Sequence, residues 1–383
     1  MKSSIKVALV SNFGQPIRGV SPYSDSLFLA LNKSATINIE KVDYQAAYPQ
    51  SLQYSNTSKS SRSRIIHFLK FWTWKVEPSF NVIHIQYWTQ FQSYYLLCLV
   101  RKAIKQSQKI VLTIHNPKPH ENIQLFTYFE NKLLTSVNAI IIHNEYGRSY
   151  LEEKLGRLCP EMFVIPHGIE IEVKDDICNE HEQIERLKTP YILFAGNIRP
   201  YKGLDILLDA WAVMDQPIKD EYDLIIAGRV WGKDQNILHR IVAKLLSFDT
   251  YAKIIMEKIR RTKGITSHLN FIENDHFLEL LQNAKLIVLP YRSFSGNSGV
   301  IGKAIGFGTP VLVSDLPGLK LYTISEEYIL KELSAKELAS KINSILPRLN
   351  EVERNKQKER AQLYSWERVA QLHLPVYEYL DKI

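Results

Sequence analysis

Short, uninterrupted runs of valine, isoleucine and leucine recur along this chain and alternate with segments of helical periodicity. A strand that is apolar along its whole length is covered on both faces, which is typical of a parallel sheet flanked by helices. The pattern runs from residue 6 to residue 165 and begins again at residue 190. It therefore predicts two doubly wound α/β domains. The predicted strands occupy residues 6–11, 82–85, 110–114, 139–142, 162–165, 190–195, 223–228, 269–272, 285–290 and 310–314.

The length of the chain agrees with this division, because 383 residues suit two domains of ordinary size. A charged stretch that is poor in apolar residues, 175–188, separates the two patterns. We expect an N-terminal Rossmann-like domain over 1–174, a second over 175–358 and an aromatic-rich helical segment over 359–383. Ligands of such sheets bind at the carboxyl ends of the strands, so two domains of this class are expected to face a central cleft.

Basic residues are concentrated in the first part of the chain. The net charge is +8, yet residues 1–120 contain 15 Lys and Arg against only four Asp and Glu. The stretch 62–75, which begins at Arg62 and ends at Lys75, interleaves cations with Trp and Phe. This composition suits an anionic membrane surface, and it also suits a helix that buries its aromatic side chains in the core. The same composition also suits single-stranded nucleic acid, through base stacking and phosphate contact. No other feature resembles a nucleic-acid module, so we expect no nucleic-acid partner.

Cysteine usage and hydropathy bear on the compartment. The three cysteines form neither a disulfide framework nor a zinc pattern, which favours a reducing environment. No apolar run approaches the ~18 residues that a membrane span needs. The first residues lead directly into a predicted strand and do not resemble a signal peptide. We therefore expect a cytoplasmic protein, with a peripheral position on the inner membrane face as the extension suggested by its basic stretch.

The loop after the first strand of the second domain has the composition of an anion-binding turn. It runs from Gly196 to Gly203, directly before a predicted helix, and contains Asn197, Arg199 and Lys202. Backbone N–H groups at a helix N-terminus attract a diphosphate, and two cations add to that attraction. A solvated turn with incidental cations is the structural alternative.

A second loop of the same domain offers a similar arrangement. Ser298, Gly299 and Val300 follow a predicted strand and open a helix. The small side chains allow a ligand to approach the backbone, and the first N–H groups of a helix lack intrahelical acceptors. An ordinary serine cap with glycines in the turn would have the same composition.

Two features of the first domain complete the set of candidates. His115 ends a predicted strand, where it can donate a hydrogen bond to a phosphate or a hydroxyl; His84 and His143 also end strands, and a structural role is the alternative for each. The loop 14–23 brings Gly19 to a position where its N–H group can meet a phosphate. This loop lacks the GxGxxG spacing, and we identify no acidic residue at the end of a clear second strand, so a nicotinamide site is not indicated.

Taken together, these segments resemble the retaining glycosyltransferases of family 4, which have the GT-B fold. The resemblance spans nearly the whole chain and depends on the order and spacing of several short segments. They are VIPHGI at 164–169, FAG at 194–196 with KGLDILLDA at 202–210, IIAG at 225–228, LPY at 289–291, SGV at 298–300, GTPVL at 308–312 and SWERVA at 365–370.

The resemblance implies that a sugar passes from a nucleotide-diphosphate donor to an acceptor hydroxyl with retention at the anomeric carbon, without a metal or another cofactor. It implies catalytic roles for His115, Arg199 and Lys202, and a C-terminal helix that crosses back to the first domain. The expected acceptor is a lipid-linked sugar or another glycan at the cytoplasmic membrane face. The residues expected to bind the donor are Gly19, Gly196, Asn197, Ser298, Gly299 and Val300.

Three positions depart from the family pattern. Asn197 stands where members of the family usually have an arginine, and Arg199 follows two residues later. Ser295 and Lys303 stand where many members carry two glutamates that contact the donor sugar and the ribose. These departures keep a non-catalytic GT-B subunit that binds a partner transferase open as an alternative. A sugar-nucleotide epimerase is a further alternative, although the loops lack the carboxylate pair that its chemistry requires.

Overall fold

The computed structural model describes residues 4–13, 20–43, 76–118, 124–171, 189–230, 248–294, 296 and 298–383. Contacts between residues divide the chain into two compact units. The first unit contains Met1–Gly168 and Trp366–Ile383, and the second contains Ile169–Ser365. The charged stretch 175–188 and the basic stretch 62–75, both singled out in the sequence, lie outside the described residues.

A six-stranded parallel sheet forms the centre of the first unit, in the order β2-β1-β3-β4-β5-β6. The strands are β1 (Ile5–Ser11), β2 (Ile37–Asp43), β3 (Val82–Tyr87), β4 (Lys109–Ile114), β5 (Ala139–Ile142) and β6 (Glu161–Val164). The helices between them are α1 (Ser21–Leu31), α2 (Ser93–Lys105), α3 (Gln124–Leu134) and α4 (Glu145–Leu155).

The second unit contains another parallel sheet of six strands, in the order β12-β11-β10-β7-β8-β9. The strands are β7 (Tyr191–Ala195), β8 (Asp223–Ala227), β9 (Ile265–His268), β10 (Leu286–Leu289), β11 (Val311–Ser314) and β12 (Ile329–Leu330). The helices are α5 (Leu204–Val213), α6 (Gln216–Glu221), α7 (Phe248–Arg261), α8 (Asn274–Asn283), α9 (Gly299–Gly306), α10 (Pro317–Lys320), α11 (Ala335–Ile345) and α12 (Glu351–Gln362).

Both sheets are covered on two faces, as the apolar runs predict. Every residue of β3, β7 and β10 is buried. Each unit has two hydrophobic clusters, one on either side of its sheet. Two Rossmann-like α/β domains are therefore confirmed. In each sheet the chain reverses its direction of strand addition once, between β1 and β3 in the first unit and between β7 and β10 in the second.

Three strands differ from the sequence-based prediction, and all lie at a sheet edge. β12 was not predicted, because it has only two residues. β2 was not predicted, because only Ile37 and Ile39 of its seven residues are buried. It ends at Asp43, so the expectation that no acidic residue closes a second strand is wrong. The strand predicted at 269–272 is also wrong, since β9 occupies Ile265–His268 and Phe271 is exposed. β2 and β9 are partly exposed at their sheet edges, so they lack the continuous apolar run on which the prediction depended.

The C-terminal helix α13 (Trp366–Lys382) belongs to the first unit, although the chain reaches it directly from the second. Its buried side chains join the cluster that α1 and the sheet form; they are Val369, Ala370, Val376, Tyr377 and Leu380. The predicted return of the C-terminal helix to the first domain is confirmed. The helix begins at Trp366 and not at residue 359, because α12 in the second unit extends to Gln362.

Candidate functional site

A cavity of about 330 Å³ lies in the second unit, at the carboxyl end of its sheet. The loops that follow β7 and β10 form it, and these two strands flank the point where strand addition reverses. Such points are the usual ligand sites of open α/β sheets. The structure brings six of the sequence-predicted site residues into the cavity wall: Gly196, Asn197, Lys202, Ser298, Gly299 and Val300.

Glycines allow the two loops to approach each other closely. Gly203 has a φ of +69°, and a Cβ atom there would lie 2.0 Å from the carbonyl oxygen of Pro290. Gly196 has a φ of +98°, and a Cβ atom there would lie 2.9 Å from the Lys202 Nζ and 3.1 Å from a methyl carbon of Val300. Residues other than glycine rarely adopt these φ values. The glycines therefore place the ammonium group of Lys202 directly against the backbone of the first loop.

Lys202 is the central charge of this cavity. The residue is only 9% exposed, and its Nζ lies 5.2 Å from the centre of the Tyr291 ring. Among the described residues it forms no ion pair with a carboxylate. Burial, together with the positive charge of Arg199, lowers the pKa of Lys202 to about 8. A buried cation without a protein anion is stabilised by an anionic ligand.

The N-terminus of α9 forms a second wall of the cavity. Ser298 occupies the position before the helix, but its side chain does not cap the first turn. The early N–H groups of α9, which begins at Gly299, thus have no acceptor within the helix. Free N–H groups and the helix dipole favour an anion at this point. Lys202 and the start of α9 both line the cavity and together suit a diphosphate.

Arg292 connects the loop after β10 with the turn that carries Lys202. Its guanidinium group donates to both carboxylate oxygens of Asp205 and, over 2.6 Å, to the carbonyl oxygen of Pro200. Its backbone N–H donates to the carbonyl oxygen of Tyr201 over 2.7 Å. The hydroxyl of Tyr251 on α7 donates to the same Asp205 carboxylate over 3.0 Å. Ion pairing and hydrogen bonding to Arg292, stronger together than the opposing effect of burial, lower the pKa of Asp205.

Sequence reasoning did not assign the aromatic part of the cavity wall, which consists of Tyr201, Phe277, Tyr291 and Phe294. Tyr291 follows β10 directly, so its place at a strand end was the available signal. Phe277 comes from α8, and only the packing of that helix brings it to the cavity. Lys303, noted in the sequence as a departure from the family, also lines the cavity. Burial lowers the pKa of Lys303, while Glu170 partly opposes this effect.

Of the other residues predicted for the donor site, Arg199 does not line this cavity. Arg199 is half-buried beside the turn of Lys202, close enough for its charge to affect the pKa of Lys202. Gly19 lies outside the described residues, as does Ser295. The donor contacts predicted for Arg199 and Gly19 therefore stay predictions.

His115 lies in the first unit, within a chain of hydrogen bonds between buried polar side chains. The Ile165 carbonyl accepts a hydrogen bond from His143 Nδ1 over 2.9 Å. A neutral His143 then accepts at Nε2 from His115 Nδ1 over 3.2 Å. The other nitrogen of His115 meets the side-chain amide of Gln86 at 2.9 Å, and this amide also contacts His84. Both ring nitrogens of His115 have protein partners, so the contact with a donor sugar stays a prediction.

His115, His143 and the neighbouring His167 are held in their neutral form. Burial, the largest cause in each case, lowers the pKa of His143 to about 3 and that of His167 to about 4. Burial and the neighbouring histidines also lower the pKa of His115 well below its usual range. The ring of Tyr23 packs edge-on against His115, with 4.6 Å between ring centres. An aromatic ring thus packs against this group of buried polar side chains.

Comparison with known proteins gives the same class as the sequence. Residues 177–363 match the family model described as glycosyl transferases group 1. The chain is 22% identical over 325 residues to a D-inositol 3-phosphate glycosyltransferase of Jonesia denitrificans, covering 78% of this chain and 72% of that protein. It is 24% identical over 295 residues to a lipopolysaccharide 1,2-N-acetylglucosaminetransferase of Salmonella typhimurium, covering 70% of each.

The fold is similar to that of solved structures over the whole chain. Anabaena HepE in complex with UDP and glucose superposes with a TM-score of 0.63 at 15% identity, covering 99% of this chain and 100% of that one. These comparisons support the GT-B fold and the glycosyltransferase class. Within the part of the chain that the structure describes, no helix combines the length and apolarity needed to cross a bilayer.

Proposed function

We propose that the chain is a glycosyltransferase that transfers a sugar from a nucleoside-diphosphate donor to an acceptor hydroxyl, with retention of the anomeric configuration. The carrying observation is the buried ammonium group of Lys202, which has no carboxylate partner within the described part of the chain, beside the N-terminus of α9. This pair of groups suits the diphosphate of the donor, and the family model matched by residues 177–363 supports the reaction class.

The reaction breaks the bond between the anomeric carbon and the diphosphate oxygen, and the bonding electron pair stays with the diphosphate. The acceptor oxygen forms its bond to the anomeric carbon on the same face, and its proton passes to the departing diphosphate. The products are a glycosylated acceptor and a nucleoside diphosphate. Negative charge develops on the leaving oxygen, so preorganised positive groups at that point lower the barrier.

The proposal assigns this stabilisation to Lys202, to Arg199 and to the start of α9. Their cationic groups and N–H groups supply positive charge, so the proposed reaction needs no metal. His115 and Gly19 are proposed to contact the donor from the first unit. The remaining proposed donor contacts are Gly196, Asn197, Ser298, Gly299 and Val300.

For the acceptor, we extend the proposal to a lipid-linked sugar or another glycan at the cytoplasmic membrane face. The support is the concentration of positive charge in residues 1–120, including the stretch 62–75. Co-sedimentation with vesicles at two salt concentrations tests the membrane part. We expect binding to anionic vesicles that weakens with salt; equal binding to neutral vesicles contradicts it.

Lys303 favours one alternative, a GT-B subunit that binds a partner transferase without catalysis. The resemblance places a glutamate at this position in many members, whereas here an ammonium group lines the cavity. Turnover decides between the two functions, because only the transferase forms a glycosylated product.

The test combines nucleotide binding with product analysis. We expect one of the UDP-, GDP-, ADP- or dTDP-sugars to raise the melting temperature, since ligands of the native state stabilise it by mass action. The same donor should yield a product whose anomeric configuration, measured by NMR, equals that of the donor. Lys202→Met should raise the barrier by about 2–4 kcal/mol.

Lys285→Met is the matched control, because Lys285 is exposed and precedes β10 at the opposite end of the strand from the cavity. We expect this variant to keep wild-type turnover. Unchanged turnover in Lys202→Met would contradict the assignment of the site. Binding of a nucleotide sugar without any transfer would favour the non-catalytic alternative.

A further inference from the structure

We propose that Arg292 is a positioning residue that fixes the turn carrying Lys202 in the geometry required by the leaving diphosphate. This inference rests on the proposed function, since it concerns how that site holds its cation. Arg292 does not line the cavity. It therefore acts through the backbone and the carboxylate that it binds, and not by touching the donor.

The contacts of Arg292 fall on both sides of Lys202 in the sequence. Its backbone and side chain bind the carbonyl oxygens of Tyr201 and Pro200, which precede Lys202. The guanidinium group also binds Asp205, which lies in the first turn of α5 after Lys202. A turn held at both ends has little freedom to move the side chain between them. The planar guanidinium can make all these side-chain bonds at once, whereas an ammonium group is a single point charge.

The contacts of Arg292 with Asp205, Pro200 and Tyr201, which we call the Arg292 clamp, join the two loops that form the cavity. One loop follows β7 and supplies Lys202, and the other follows β10 and supplies Tyr291, whose ring lies under the ammonium group. The close backbone contact between Gly203 and Pro290 connects the same loops beside the clamp. Tyr251 extends the connection to α7 through its bond to Asp205. The position of the Lys202 ammonium relative to the start of α9 thus depends on Arg292.

The exposure of the ion pair separates this role from a general contribution to stability. The side chains of Arg292 and Asp205 are 40% and 21% exposed. Ion pairs of such exposure contribute little to the free energy of unfolding. We therefore expect variants of Arg292 to fold, and their main effect to be on the geometry of the site.

The test is a double-mutant cycle on the full chain. Arg292→Gln should reduce kcat by about tenfold or more, because preorganised charge acts in the transition state, and change KM for the donor less than threefold. If Arg292 acts through Lys202, the same substitution in a Lys202→Met background should change kcat less than twofold. Equal effects in both backgrounds would overturn the proposal.

Two variants test whether the planar guanidinium group at position 292 is required. One variant keeps only the positive charge, and the other removes an arginine elsewhere on the surface. Arg292→Lys keeps the charge but not the planar fork, so we expect it to recover less than half of the lost activity. Arg260 is the matched control, because on the surface of α7 its guanidinium group also bonds both oxygens of one carboxylate, that of Glu257. Arg260→Gln should leave kcat unchanged.

A ligand-free measurement keeps this inference separate from the proposed function. Reductive methylation with labelled formaldehyde allows the titration of Lys202 to be followed by NMR, with Lys202→Met assigning the signal. In Arg292→Gln the released ammonium group should become hydrated, and its pKa should rise towards the ordinary lysine value. If wild type lacks transferase activity but this rise occurs, only the proposed function fails. If the pKa is unchanged in Arg292→Gln, the positioning role is wrong whatever the activity.

Discussion

Lys202 combines two properties that rarely occur together in one side chain. It is buried, which opposes the charged form, and it lies beside the N-terminus of α9 and Arg199, which add further positive potential. Burial of this ammonium group destabilises the folded protein while the site is empty, and an anion that binds there offsets the effect. The same properties place its titration close to neutral pH, where experiments can observe it.

The pH dependence of donor use follows from this titration. The pKa of Lys202 is lowered to about 8, so the ammonium form predominates at pH 7 and is lost as the pH rises above 8. We expect kcat/KM for the donor, which reports the free enzyme, to fall above pH 8 by up to about tenfold per pH unit. Lys202→Arg should move this decline to much higher pH, because arginine stays charged. A wild-type profile that is flat to pH 10 would contradict the assignment.

Gly203 provides a test of the close contact between the loops. A Cβ atom at this position would lie 2.0 Å from the Pro290 oxygen, and φ is +69°. We expect Gly203→Ala to lower the free energy of unfolding by about 1–3 kcal/mol through backbone strain, to lower it further through the clash with the Pro290 oxygen, and to weaken nucleotide binding. Gly264→Ala is the control, since φ is +73° but the nearest atom would lie 3.4 Å away. Equal losses in urea unfolding of the two variants would show that φ alone decides the effect.

At the scale of elements, burial decides which parts could be predicted from the sequence. β7 and β10 are buried throughout, so their apolar runs locate both strands and the loops that follow them. The phosphate-loop candidates, including Lys202, were found for this reason. β2 and β9 are edge strands with few buried residues, and the sequence pattern missed or misplaced them. Phe277 and the Arg292 clamp were missed because tertiary packing, not local sequence, brings distant elements together.

Buried histidines make the stability of the first unit depend on pH. His115 and His143 follow β4 and β5, whereas His84 lies within β3 and not at its end, where the sequence predicts it. Burial lowers the pKa of His143 to about 3 and that of His373, which contacts the same cluster from α13, to about 4. The unfolded chain takes up protons near pH 6.5, whereas the folded chain stays neutral. Above pH 6.5 these histidines do not reduce the free energy of unfolding. Below pH 6.5 each such histidine lowers it by about 1.4 kcal/mol per pH unit.

We expect the melting temperature of the first unit to fall clearly between pH 7 and pH 5. His373→Leu should reduce the slope of the free energy of unfolding against pH, because it removes one of the coupled groups. His276→Leu in the second unit serves as the control and should leave that slope unchanged. The measurement is hydrogen exchange in β3 to β5 over this pH range. A slope that is the same in His373→Leu as in wild type would show that this histidine does not carry the effect.

At the scale of the whole molecule, the first unit is assembled from two separate parts of the chain. Its core cluster on the α1 side is completed by α13, whose Val369, Val376, Tyr377 and Leu380 are at most 1% exposed. The Tyr377 hydroxyl and the Nδ1 of His84 also share a hydrogen bond of 2.8 Å. The first unit thus reaches its full stability only after the second unit has been synthesised, because α13 follows it in the chain.

Removal of residues 366–383 should therefore unfold the first unit selectively. Loss of a fully buried large apolar side chain costs about 1.5–3 kcal/mol, and α13 contributes four that are at most 1% exposed, which compares with a total of about 5–15 kcal/mol for a domain. We expect amides of β1, β3 and β4 to lose protection from hydrogen exchange in the truncated chain, while β7 and β10 keep it. Tyr377→Phe, which removes only the hydroxyl, should preserve protection in all five strands. Full protection of β1 in the truncated chain would mean that the sheet and α1 are stable by themselves, and that α13 covers a core it does not support.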